Sequence, residues 1–130
     1  MNLDKEKLKN FEKLPADVRR EFSLLMNQYG QKKKESQIQN DFMAFVKHVW
    51  PDFVEGRHHK DVAKKFNEIA EGKTKRVIIN MAPRHTKSEF ASYLLPAWMV
   101  GRNPKLKIIQ STNTTELSVR FGRKAKALMD

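Results

Sequence analysis

The sequence predicts an α/β protein with a helical lead-in over residues 1–72. Over residues 73–130 it predicts the first strand–helix–strand–helix portion of a parallel sheet, incomplete as it stands. Three observations carry this reading. Apolar residues recur every three or four positions through the first half, which is helical spacing. Two short β-branched runs, residues 76–80 and 106–110, break that spacing in the second half. A helical pattern follows each run, the order expected of a right-handed crossover between parallel strands.

Taken in order, Phe11, Leu14, Val18, Phe22, Leu25 and Tyr29 form one helical stripe. Pro15 is tolerated only in a first turn, so a short first helix should precede a second over residues 15–29, with Gly30 as its stop. Residues 31–35, with three consecutive lysines, read as a basic connector. Ser36 and Gln39 resemble a capping box for a third helix through Phe42, Phe45, Val46 and Val49, ended before Pro51. Val62, Phe66 and Ile69 mark a fourth, closed by Gly72. Residues 76–80 then read as a strand buried on both faces. Helical spacing resumes at Lys87 through Phe90, Tyr93, Leu94 and Trp98, with Pro96 expected to kink it. After the second strand, Asn113 and Glu116 open a last helix through Leu117, Phe121, Ala125 and Leu128.

Composition narrows the chemistry. The 130 residues contain no cysteine, which excludes disulfides, cysteine–zinc sites and thiol nucleophiles. No apolar run approaches the roughly 18 residues of a membrane span, so the chain reads as soluble and intracellular. The formal charge is +11, of which +9 falls in residues 73–130. A polyanion partner and a solvated basic surface explain that excess equally well.

The chemistry concentrates after the first strand. A strand, a tight turn containing Pro83, and then Lys87-Ser88 at a helix start have the layout of a P-loop. The first turn of a helix offers unpaired N–H groups and the positive end of its dipole to a phosphate. A lysine adds a point charge, and a serine hydroxyl can ligate Mg²⁺. Two glycines of the usual motif are replaced by Met81 and Thr86. Thr86 is β-branched and resists positive φ, so either the loop runs differently from its glycine-rich counterpart or it is not a nucleotide site. An ordinary strand-to-helix turn ending in Lys-Ser is the plain alternative.

The stretch Arg76-Val77-Ile78-Ile79-Asn80-Met81-Ala82-Pro83-Arg84-His85-Thr86-Lys87-Ser88-Glu89 resembles the large terminase subunit of tailed bacteriophages. Residues 45–50, Gly56-Arg57-His58-His59, Leu95-Pro96-Ala97-Trp98, Gly101-Arg102-Asn103-Pro104 and Ile108-Ile109-Gln110-Ser111-Thr112 are similar to the same family. The resemblance covers about residues 41–130 and does not extend to residues 1–40. It implies the start of a P-loop NTPase core over residues 73–130, within a protein that hydrolyses ATP to drive double-stranded DNA into a capsid. It also implies ATP and Mg²⁺ as cofactors, held by Pro83, Arg84, His85, Thr86, Lys87 and Ser88. Lys87 then resembles the phosphate-binding lysine, Ser88 the Mg²⁺ ligand, and Arg84 a catalytic arginine that stabilises charge on the nucleotide. The implied partners are double-stranded DNA, the portal protein and the small terminase subunit. The complete protein would be a homo-oligomer in the bacterial host cytoplasm, transiently at the procapsid portal.

Other residues have plainer readings beside these. Neighbouring His58 and His59 do not face the same way on a helix, so first-turn packing is expected, or a contact with a nucleotide edge as the resemblance implies. His85 reads as loop-shaping, and Trp50 and Trp98 as core. Arg120, Arg123, Lys124 and Lys126 present a basic ridge for DNA or an acidic partner. After Ser88 the only acids are Glu89, Glu116 and Asp130, and none ends an apolar strand. The expectation is therefore a fragment that lacks the Mg²⁺-coordinating carboxylate strand and the nuclease aspartates. The alternative is a small basic module that binds DNA or a partner and carries a structural, non-functional loop.

Overall fold

The computed structural model describes residues 14–129, so the expected short first helix and Phe11 lie outside it. The chain divides into two compact units between Ser36 and Gln37. The elements are α1 (Ala16–Asn40), α2 (Phe42–Val49), α3 (Arg57–Ala70), a single α-turn α4 (Lys87–Glu89), a π-helical turn (Phe90–Leu94), α5 (Leu95–Arg102) and α6 (Thr115–Ala127). Among the described residues there is no strand and no sheet, which overturns the expected α/β P-loop fold. The architecture is all-helical.

The reason lies in the two β-branched runs. Both lack helical structure, as their composition suggests, but a strand's hydrogen bonds must come from a neighbour. Residues 76–80 and 107–110 find no backbone partner among the described residues. Nor are they buried on both faces: Ile79 packs on the core, whereas Ile78 is 89 % exposed and Ile109 is 97 % exposed. An open groove of about 500 Å³ separates residues 76–81 from His58, Asp61, Val62 and Lys65 of α3.

Most of α1 lies in the first unit and its last residues, from Gln37, belong to the second; it runs through Gly30 and the lysine run without a break, where a stop and a connector were expected. One glycine costs a helix about 1 kcal/mol, and the flanking Gln, Lys and Glu are good helix formers. None of the residues of α1 is buried.

In the second unit the helix restarts at Asp41 instead of Ser36. Asp41 caps α2, its Oδ2 accepting from the Ala44 N–H at 2.9 Å. Its Oδ1 accepts from Asn67 Nδ2 on α3 at 2.8 Å, and Asn67 Oδ1 accepts from the Phe42 N–H at 2.9 Å. Those reciprocal bonds fix α2 against α3 with every polar group satisfied. Phe42 is fully buried at the centre of an aromatic cluster. Phe66, Phe90 and Trp98 meet its ring edge-on at 5.1–5.4 Å, the arrangement aromatic quadrupoles favour. Trp98 is core, as expected, and its Nε1 donates to the Ile38 carbonyl. Trp50, expected in the core, lies outside it: it is 36 % exposed and leans on Phe53.

Pro96 is accommodated by the π turn. Leu95 N–H reaches back five residues to Phe90 C=O, so the register shifts just before the residue that has no N–H to donate. Gly72 closes α3 at φ 74°, and the backbone of Lys73 and Thr74 bonds to the Glu68 carbonyl.

Candidate functional site

The candidate site is the loop between residues 81 and 88, where the chain turns into α4. Among the described residues, Arg84 (φ 67°) and Thr86 (φ 58°) are the non-glycine positions in the left-handed region, and both fall in this loop. Such a conformation costs about 1–3 kcal/mol per residue and persists only where its surroundings enforce it. Thr86 adopts the backbone that glycine supplies in a standard phosphate loop.

Lys87 folds back so that its Nζ donates to the Met81 carbonyl at 3.3 Å, closing the loop into a ring. The N–H groups of Lys87, Ser88 and Glu89 find no acceptor among the described residues, and the first helical bond runs from Phe90 N–H to Thr86 C=O. Arg84 is exposed and has no ion-pair partner among the described residues. Pro83 contributes its carbonyl, which accepts from His85 Nδ1 at 2.9 Å, so His85 does shape the loop. The site residues expected from the sequence, Pro83, Arg84, His85, Thr86, Lys87 and Ser88, are consecutive and span this loop and the start of α4.

What holds Thr86 in place comes from α3. His59 is 7 % exposed, packed between the Phe53 ring at 4.8 Å and the Phe90 ring at 5.3 Å. Its Nδ1 accepts from the Gly56 N–H at 2.8 Å. Its Nε2 lies 2.8 Å from Thr86 Oγ1, which in turn donates to the His85 carbonyl at 2.6 Å. Burial pushes the His59 imidazole below its ordinary value near 6.5, with neighbouring His58 acting in the same direction. The His58 and His59 ring centroids sit 3.8 Å apart, so the two side chains lie together where the sequence suggested that they point apart. A glycine at 56 leaves room for them, since a Cβ there would stand 2.9 Å from His58 Cε1. His58 Nε2 is buried without a partner among the described residues. The sequence singled out His59 for packing or a nucleotide edge, but nothing local announces its link to Thr86, which lies 27 residues away.

Glu89, next to Ser88, is engaged elsewhere. It pairs with Lys124 of α6 at 3.1 Å, and the Lys124 ammonium lies 4.8 Å from the Tyr93 ring centroid. Burial and the Glu89 carboxylate push the Tyr93 phenol up to about 12. Lys124 is therefore tied into the fold, and the basic ridge expected on α6 retains Arg120, Arg123 and Lys126 as exposed side chains. The polar run at 111–114 serves α6 as well. Thr114, not Asn113, is the cap, and Thr112 Oγ1 bonds to the Thr114 carbonyl and to Ser118 Oγ.

For Mg²⁺ the donors do not suffice. Ser88 offers one hydroxyl, whereas octahedral Mg²⁺ needs six oxygens and is normally anchored by a carboxylate. Glu89 is paired with Lys124, and among the described residues no group of three or more His, Asp or Glu side chains is placed to hold a metal ion. The loop suits a phosphate better than a resident cation.

No protein family, curated protein or solved structure matches the chain. Among the described residues no helix is long and apolar enough to cross a membrane.

Proposed function

We propose that residues 81–88 form a phosphate-binding loop for a nucleoside triphosphate, within a chain that serves as the nucleotide-binding front of a terminase-like DNA-packaging ATPase. The observation that carries this reading is the loop itself. Two left-handed backbone positions curl it until Lys87 Nζ caps the Met81 carbonyl. An incoming phosphate would exchange that weak 3.3 Å contact for a charge-assisted bond, with the N–H groups of Lys87 and Ser88 and the guanidinium of Arg84 beside it. The resemblance of residues 76–89 to the terminase motif supports ATP as the nucleotide and Arg84 as the residue that meets its terminal phosphates. Double-stranded DNA, a portal and a small subunit are the partners this reading assigns. It does not depend on a parallel sheet, and Mg²⁺ would arrive with the nucleotide.

Thermal unfolding with a non-hydrolysable Mg–ATP analogue tests it. A ligand at a hundred times its Kd stabilises the native state by about 2.7 kcal/mol. The unsubstituted chain should therefore melt several degrees higher with the analogue present. Lys87→Ala should weaken binding about 10–100-fold, the worth of a hydrogen bond to a charged group. An unshifted melt, or an equal shift in Lys87→Ala, overturns the reading.

A second reading has its own observation. Exposed Arg120 and Arg123 line a depression of about 420 Å³ with Thr115, Glu116 and Val119 on α6. That is a surface for a polyanion without any nucleotide. Duplex-DNA affinity falling steeply with salt, in a chain indifferent to the analogue, selects it.

A further inference from the structure

We propose that His59 is the positioning residue of the 81–88 loop, acting as a neutral imidazole through Thr86, so that the loop's affinity for phosphate falls in acid. The inference rests on the phosphate reading above and adds its regulation.

The hydrogen bonds around His59 admit one arrangement of protons. The Gly56 N–H can only donate, so Nδ1 must present its lone pair. The His85 carbonyl can only accept, so the Thr86 hydroxyl proton points at it. That leaves a Thr86 lone pair facing Nε2, which must carry the hydrogen. One chain of donation therefore runs from the start of α3 through the imidazole and the Thr86 hydroxyl to the His85 carbonyl. It ends on the peptide that links His85 to Thr86, whose left-handed φ the loop requires. A threonine does not hold that conformation for itself, and here a buried neighbour holds it.

Protonation breaks the chain at a defined point. A second ring proton on Nδ1 would face the Gly56 N–H, donor against donor, and the ring could not stay aligned on Thr86. The titratable groups facing His59 are His58 on its own helix, His85 on the loop, and Glu55 just before α3. Lys47 engages Glu55 at 2.6 Å, and Phe53 and Phe90 bring only rings. Burial is the main influence that disfavours charge on the imidazole, His58 and His85 act with it, and the Glu55 carboxylate acts the other way. A histidine that touches phosphate directly strengthens binding as it gains charge. His59 has the opposite sign.

The test uses the ¹⁵N-labelled chain with inorganic tripolyphosphate as probe, titrated between pH 7.5 and 5.5. The imidazole ¹⁵N shifts of His59 should show a bare Nδ1 and a protonated Nε2 near neutral pH. Tripolyphosphate affinity should fall by up to about tenfold for each pH unit below the imidazole's own pKa. His59→Gln keeps an amide N–H for Thr86 without a titrating group, so its profile reports the probe and the remaining histidines. Its affinity should hold or rise in acid. Thr86→Val, which removes the hydroxyl and keeps the shape, should weaken binding and move the His59 resonances. Thr86→Gly supplies the left-handed backbone without the clamp and should lose the fall in acid. A protonated Nδ1 at neutral pH, or an unsubstituted chain whose affinity follows the His59→Gln profile, overturns the proposal. Should no form bind tripolyphosphate at any pH, the phosphate reading fails, while the ¹⁵N tautomer and its response to Thr86→Val still decide the clamp.

Discussion

Phe42 and Ile109 are both large apolar side chains in the second unit, yet the first is fully buried and the second is 97 % exposed. The difference does not lie in hydrophobicity. Phe42 sits on a helix, whose backbone bonds are internal, so its side chain is free to seek neighbours in Phe66, Phe90 and Trp98. Ile109 sits in a run outside any helix, whose backbone needs another chain segment before its side chains can be covered. A β-branched run thus stays out of the helices, while its burial depends on what lies alongside. The aromatic helices form the packed core, and the candidate loop is built where Ile79 of the run 76–80 returns to it.

The largest effect should come from the centre of the helical side. Phe42→Ala removes the ring that the other three aromatics share, and a buried aromatic-to-alanine change costs about 3–5 kcal/mol. Against a usual total of about 5–15 kcal/mol, such a loss leaves the unit close to unfolding. Urea unfolding should show a much lower midpoint at an unchanged slope. A loss under about 1 kcal/mol would mean that the aromatic cluster does not hold the unit together.

An intermediate effect belongs to the polar link between α2 and α3. Asp41→Ala loses a helix cap, worth about 1 kcal/mol, and strands the Asn67 amide that it satisfies. Together these should cost about 2 kcal/mol, and a cycle with Asn67→Ala should show coupling, since the second change removes the group the first leaves unpaired. Purely additive losses would show that the two residues act independently.

How much of this was legible in sequence follows from the same contrast. Helical periodicity marked the stretches that hold the described helices, because spacing along one chain is a local property, but it broke α1 at Gly30 and read its second half as a connector and the start of the next helix. The break at Asp41 was missed because its meaning lies in Asn67, 26 residues away. Lys87-Ser88 and the strain at Thr86 were readable from residue chemistry alone, since a β-branched residue resists positive φ wherever it stands. The clamp that overcomes this strain was not, because His59 reaches Thr86 only through the packing of α3 against the loop. The α/β expectation failed for the same reason: strand propensity is written in the run, and the pairing partner is not.

The smallest effect should come from the bare side, and it sharpens the comparison most. With Ile109 exposed and its backbone unpaired among the described residues, Ile109→Thr keeps the β-branched shape and removes only apolar surface that already meets water. Its cost should stay within about 0.5 kcal/mol, as for surface substitutions away from special features. The same change at a buried isoleucine would forfeit most of the roughly 1.5–3 kcal/mol that full burial of such a side chain contributes. Denaturation at two protein concentrations separates the cases. A small loss independent of concentration leaves the run uncovered in solution. A loss above about 1 kcal/mol that grows with concentration would mean that copies of the chain cover the run by association, and Ile109 would then stand with Phe42 on the buried side.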